Sequence, residues 1–335
     1  MKDFGKSLVK SQKLWILAGV VLVMTILQPG IFLTRSNIVN TLYSISIYGI
    51  MVCGAIFTIL LGGIDLAVGA VAAAAGAATV KLITAFGVNT FLAVLVGLLL
   101  GLGVGLVHGI MVAQFGVPAF LVTLATQNIV YGIAQLITKN KVTAIMGPPS
   151  FIFLGSGQIF GIPFPIYILL ITGVLSYIIL NHTVFGRQIY SVGGNVEASL
   201  LSGIRSKRVI MIAYTISGLT AALAGIALAS MNRQAIAKAA SGYETEVITA
   251  IVVGGTSLMG GEGNIQGAIW GVLLVGIISN ALRLMGITSN YHGIVKGIVI
   301  IGAVALDAYV RFSKSGLRKG GHKKAKKEAA KEKAA

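Results

Sequence analysis

Residues 62–70 read Gly-Gly-Ile-Asp-Leu-Ala-Val-Gly-Ala, and the whole chain is best read outward from this stretch. Asp65 is the only carboxylate between Asp3 and Glu197, and it lies at the junction of two long apolar runs. An ionisable group at membrane depth is expensive unless it is paired or wet. Two readings of Asp65 are compatible. Its carboxylate accepts from amides at Val68 or nearby and caps the next helix, or it stands in or beside a pathway, together with Gly62, Gly63 and Gly69.

The composition around this stretch excludes an ordinary soluble domain. Of 335 residues, 56% are hydrophobic, 10% are charged and 44 are glycine, with mean hydropathy +0.91. A soluble domain carries about 25% charged residues. A membrane span needs about 20 mainly apolar residues, and ten stretches near that length recur: 14–33, 38–61, 64–80, 87–113, 118–138, 163–181, 208–230, 245–258, 265–285 and 290–312. The expected fold is all-α and polytopic. The third and eighth stretches are short and rich in small residues, which predicts broken or re-entrant helices where protein or water surrounds the backbone.

The net charge of +17 is distributed as membrane topology rather than as a nucleic-acid-binding face. With the N-terminus in the cytoplasm, eighteen Lys and Arg fall inside and seven outside. Both termini are therefore expected in the cytoplasm: a basic segment 1–13, a transmembrane domain 14–312 and a charged tail 313–335, either solvated and disordered or in contact with anionic lipid. The first apolar run is too long for a signal-peptide core and lacks a cleavage pattern, so it reads as an uncleaved span. The lone Cys53 allows no intrachain disulfide.

The first stretch has an echo. Gly254-Gly255-Thr256-Ser257-Leu258-Met259-Gly260 repeats its paired glycines, small polar residue and leucine. Either the chain has two related halves with helix breaks in corresponding positions, or these are unrelated glycine-rich helix contacts. The polar loop 181–207 carries a short helix candidate. Asn195 is a fitting N-cap, Glu197 falls in the first turn, and Gly203 stands where a left-handed C-terminal residue is wanted. Val196, Leu200 and Leu201, continued by Ile204, form an apolar side that lies on the membrane surface, on the protein's own cytoplasmic face, or against a soluble partner. A phosphate-binding loop is absent, and His108, His182, His292 and His322 show neither metal nor triad spacing.

These residues resemble the permease subunits of ribose-type sugar ABC importers. Residues 62–70 resemble the family's GGIDLSVGS signature, with Ala67 and Ala70 in place of its serines, and PAFLVTLAT at 118–126 is similar to its next segment. GRQIYSVGGNVEASLLSGI at 186–204 resembles its cytoplasmic coupling segment, and 242–307 is similar almost throughout. The resemblance implies a permease of the bacterial cytoplasmic membrane that moves a monosaccharide or similar small polar solute. It pairs with a second, identical or different, permease, and with an extracytoplasmic sugar-binding protein. It binds no cofactor and performs no covalent chemistry, ATP and Mg being held by a cytoplasmic ATPase subunit. Glu197, Ala198 and Gly203 match the family's coupling pattern and would contact that ATPase. An ion-coupled secondary carrier, or an importer permease for nucleosides or branched-chain amino acids, is the alternative reading.

Overall fold

The computed structural model describes residues 17–286, together with 293, 294 and 297. The expectations for segments 1–13, 290–312 and 313–335 lie outside those residues, apart from 293, 294 and 297. The described chain runs through α1 (Leu17–Leu27), α2 (Arg35–Leu60), α3 (Val68–Phe86), α4 (Thr90–Ala113) and α5 (Ala119–Thr138). It continues through β1 (Thr143–Ala144), α6 (Pro149–Ser156), β2 (Gln158–Ile159), β3 (Ile162–Pro163), α7 (Phe164–His182), α8 (Val184–Gly194) and α9 (Val196–Leu201). It closes with α10 (Ser206–Asn232), β4 (Gln234–Ala235), α11 (Tyr243–Val253) and α12 (Ile265–Leu284). Seven of these helices, α2, α3, α4, α5, α7, α10 and α12, are long and apolar enough to cross a membrane. The protein is a mainly helical, multi-pass membrane protein.

An all-apolar helix belongs at the centre of a bundle, and every residue of α2 from Ile45 to Leu60 is buried. Packing against lipid supplies little hydrophobic drive, so small residues that let backbones approach do the work of association. In α4, Gly97, Gly101, Gly105 and Gly109 recur every fourth residue; the last three face α10, and Gly97 lies between α3 and α10. A Cβ at Gly101 or Gly105 would overlap the carbonyl of Gly218 or Tyr214, and one at Gly109 would lie 2.6 Å from the Met211 Cα. The other side of α4 presents Phe91, Leu95, Leu99 and Val107 outward. Helix α3 packs on α10 beside α4, and a Cβ at Gly76 of α3 would lie 2.7 Å from the Gly225 carbonyl oxygen.

These contacts set helix directions and give the bundle two ends. At one end Ile145 N–H donates to Arg233 carbonyl (2.9 Å), Gly155 N–H donates to Ser230 Oγ (2.7 Å), and β1 pairs with β4. This α6 end carries Arg35, Lys139, Lys141, Arg233 and Lys238. The opposite end holds α8 and α9 with Arg187, Arg205, Lys207 and Arg208.

Two differences from the sequence reading have local causes. The third apolar stretch is a 19-residue helix, displaced toward the C-terminus. Its alanine-rich sequence carries helix through Lys81 and Thr84 until Gly87 adopts φ 63° and stops it. The loop 181–207 holds two helices rather than one, because Gly186, Ile189 and Val192 give α8 a buried side at helical spacing.

Gly105→Val forces a branched side chain into the Tyr214 backbone, whereas a Cβ at Gly103 would meet no atom within 4 Å and would face open space. The expected outcome is a loss of about 1–3 kcal/mol of stability for Gly105→Val, read as a lower thermal midpoint of detergent-purified protein, with Gly103→Val close to the parent. Equal behaviour of the two variants would refute the close crossing.

Candidate functional site

The first helix break follows from glycine. After Leu60 the chain turns at Gly62 (φ 78°), and the Gly63 N–H donates to the Thr58 carbonyl at 2.9 Å. The chain then leaves regular structure over residues 63–65 and turns at Leu66 and Ala67 into α3, which begins at Val68. Asp65 sits in this gap, 4% exposed. Its Oδ1 accepts from the Ala67 N–H at 3.0 Å and its Oδ2 from the Ser217 hydroxyl of α10 at 2.7 Å. The carboxylate thus closes a tight turn one residue before the position expected of a cap. Ala67 is the N-cap of α3 and makes no side-chain cap bond. His108 of α4, 1% exposed, places Nδ1 3.9 Å from Asp65 Oδ1, beyond hydrogen-bond range. Tyr214 of α10 stands edge-on to His108 at 6.2 Å, and its hydroxyl lies against Gly63, where a Cβ would overlap it. Three segments, the α2–α3 connection, α4 and α10, thus meet around one carboxylate.

The second break begins where α11 ends. Gly254 packs so closely on α12 that a Cβ there would lie 2.5 Å from the Gly267 carbonyl oxygen. Gly255 (φ 91°), Gly260 (φ 83°) and Gly261 (φ 74°) turn the chain. The Ser257 N–H donates to the Glu262 carbonyl at 2.9 Å, and the Ser257 hydroxyl accepts from the Met259 N–H at 3.2 Å. Asn264 then caps α12, accepting from the Gly267 N–H at 2.6 Å. The two glycine blocks are in contact. The Gly261 N–H donates to the Leu60 carbonyl at 2.8 Å, and a Cβ on Gly260 would lie 2.7 Å from the Gly62 nitrogen. Gly69 lies apart from this junction, as the second residue of α3, beside the Ala240 carbonyl and Glu244.

The α8–α9 pair touches both breaks. A Cβ at Gly193 of α8 would overlap the Leu60 carbonyl and lie 2.8 Å from the Gly261 nitrogen, and the Tyr190 hydroxyl donates to the Gly263 carbonyl at 3.0 Å. Asn195 caps α9 by accepting from the Ala198 N–H at 2.9 Å, and Ser199 is tied to Ser191 at 2.8 Å. Gly203 adopts φ 79° just after the helix. Outward from this frame stand Val196, Glu197, Ala198, Leu200 and Leu201, with Leu201 92% exposed. Ile204 departs from the expected stripe: the left-handed turn at Gly203 sends the chain back, and Ile204 packs on the core.

Sequence reasoning missed His108, Glu244 and Glu246 as members of the polar interior. Glu246 is 2% exposed near the start of α11, and Glu244 is half-buried beside Gln127 and Tyr131 of α5. The available signal was a pair of carboxylates at the head of the apolar run 245–258, which the hydropathy of the rest of the run obscured.

The α2–α3 and α11–α12 connections thus meet under the α8–α9 pair of a multi-pass membrane bundle. A family model described as branched-chain amino acid transport system / permease component matches residues 37–304, and the chain belongs to that permease family. It is 39% identical over 263 residues to the ribose import permease protein of Bacillus subtilis, covering 78% of this chain and 81% of that one. It is 36% identical over 283 residues to the ribose import permease protein of Haemophilus influenzae (84% and 87% covered). To the D-allose transport system permease protein of Escherichia coli it is 36% identical over 300 residues (88% and 90% covered). No solved structure matches the chain.

Asp65→Ala leaves the Ala67 amide and Ser217 hydroxyl without their acceptor, at a cost of about 1–3 kcal/mol, whereas Asp65→Asn keeps an acceptor in place. The expected result is a lower thermal midpoint and reduced solute uptake for the alanine variant, with the asparagine variant near the parent in both. Parental uptake by Asp65→Ala would remove Asp65 from the mechanism.

Proposed function

We propose that the chain is the transmembrane permease subunit of an ATP-driven importer that moves a monosaccharide, a ribose-type pentose or a hexose, across the bacterial cytoplasmic membrane. The observation that carries this reading is the α8–α9 pair: its inner side touches both helix breaks and its outer side offers Val196, Leu200 and Leu201 to something beyond the bundle. In this reading the α9 end faces the cytoplasm, consistent with the four basic residues gathered there. The apolar side of α9 docks a cytoplasmic ATPase subunit, with Glu197, Ala198 and Gly203 at the contact. ATP and Mg are bound by that partner, an extracytoplasmic binding protein delivers sugar at the α6 end, and a second permease copy, identical or related, completes the path.

Closure of the ATPase pair on ATP would push α9, and α8 would carry that displacement to Leu60, Gly260 and Gly261. A junction of backbone on backbone suits a switch between two discrete packings, because no side chain lies between the moving parts to absorb the shift. Gly62, Gly63 and Asp65 on one side and Gly254, Gly255 and Ser257 on the other then act at the inner gate, with Gly69 farther along the pathway.

An ion-coupled carrier is the second reading, favoured by the buried Asp65, His108 and Glu246. Uptake that survives ATP depletion and stops with an uncoupler would select it.

Leu200→Asp and Leu201→Asp place charges on the proposed docking side while leaving the Asn195 cap and the Ser191–Ser199 bond intact. The expected outcome is loss of the co-purifying ATPase from a detergent pull-down, with normal membrane insertion. Full retention of the ATPase by the double variant would sink the docking assignment.

A further inference from the structure

Outside its buried side the surface of α5 is divided lengthwise, with Gln127 and Tyr131 half-buried at the edge of the core. Gln127, Tyr131 and Gln135 recur at every fourth residue, with Asn128 beside them, and form a polar flank. Ile129, Ile133 and Leu136 form the other flank, exposed and wholly apolar. Asn128 is exposed, donating one N–H to the Leu124 carbonyl at 3.1 Å. Its depth follows from neighbouring contacts. The Thr123 hydroxyl donates to the Ile64 carbonyl at 3.1 Å, and Val130 and Ala134 pack with Ala70 and Ala74 of α3. Asn128 therefore lies level with Gly69, near the middle of α10.

A carboxylate joins this flank. Glu244 of α11 is half-buried beside Gln127 and Tyr131. A Cβ on Gly69 would lie 2.6 Å from Glu244 Oε2 and 3.2 Å from the Tyr131 hydroxyl, so both oxygens converge on one bare glycine. Toward the α6 end the flank opens into a cleft of about 330 Å³ lined by Gln135, Asn140, Lys141, Ala237 and Lys238. An exposed asparagine and a partly exposed carboxylate at mid-depth cannot face hydrocarbon without a large penalty. The apolar flank on the same helix marks by contrast the side that can.

We propose that the polar flank of α5, with Glu244 of α11, lines the solute path from the α6-end cleft to the first helix break and hydrogen-bonds the hydroxyl groups of a passing monosaccharide. A carboxylate accepts from sugar hydroxyls, and side-chain amides both donate and accept. The proposal rests on the importer-permease reading and specifies which surface of the chain the sugar meets.

The native chain contains a single cysteine, Cys53, which is fully buried, so introduced thiols are read against a quiet background. In the assembled transporter in membrane vesicles, Asn128→Cys, Gln135→Cys and Leu95→Cys are each treated with a charged methanethiosulfonate reagent. Thiolate, the reacting form, is produced in water and not in lipid, so the first two should react roughly tenfold or more faster than Leu95→Cys. Modification should further lower whatever sugar uptake each of the two supports. Glu244→Gln should reduce uptake roughly tenfold through loss of a charged acceptor, with ATPase co-purification unchanged. Labelling of Asn128→Cys as slow as that of Leu95→Cys overturns the proposal. So does a disulfide between Asn128→Cys copies without reagent access, which would make this flank a dry contact between permeases. Fast labelling of Asn128→Cys and Gln135→Cys in a chain whose uptake ignores ATP would keep the path and discard the importer reading.

Discussion

Backbone meets backbone where the end of α2, the end of α8 and the loop after α11 converge, and the rest of the molecule is arranged around that contact. Leu60, Gly193 and Gly261 approach so closely that no side chain fits between them. Such an approach needs glycine on the facing positions, and left-handed turns at Gly62, Gly260 and Gly261 need it again for conformational reasons. The glycine-rich character of the chain is thus concentrated in function at two places. One is this junction; the other is the crossing of α4 and α10, where small residues replace the hydrophobic drive that water provides in soluble proteins.

The buried carboxylate at the first break belongs to the same construction. Interrupting a helix inside a membrane frees backbone groups that lipid cannot satisfy. Asp65 takes up one of them, the Ala67 amide, and anchors the turn to α10 through Ser217. With His108 3.9 Å from the oxygen that accepts from Ala67, the carboxyl group is held between helices rather than presented to lipid.

Much of this was legible in the chain itself. Long apolar runs mark the spans because lipid demands length and composition, and the glycine blocks at 62–63 and 254–255 stand out for the same reason. The cap at Asn195 and the turn at Gly203 are local chemistry and were found at those residues. What stayed hidden depends on three-dimensional neighbours. Nothing near His108 in sequence points to Asp65, since the two lie on different helices. The extension of α3 through Lys81 reflects alanine continuing a helix that hydropathy alone would end. Glu244 and Glu246 were masked by the apolar residues that follow them, and Ile204 left the expected stripe because a glycine turn redirects the chain.

The exposure of Val196, Leu200 and Leu201 has a consequence for the cell as well as for transport. A chain made without its companion carries three apolar side chains, one of them almost fully uncovered, on a short helix held outside the bundle. Such a surface marks an unassembled subunit as incomplete, and it is the kind of feature that degradative machinery reads. Under the proposed docking of α9, correct stoichiometry would then be enforced by the same six-residue helix.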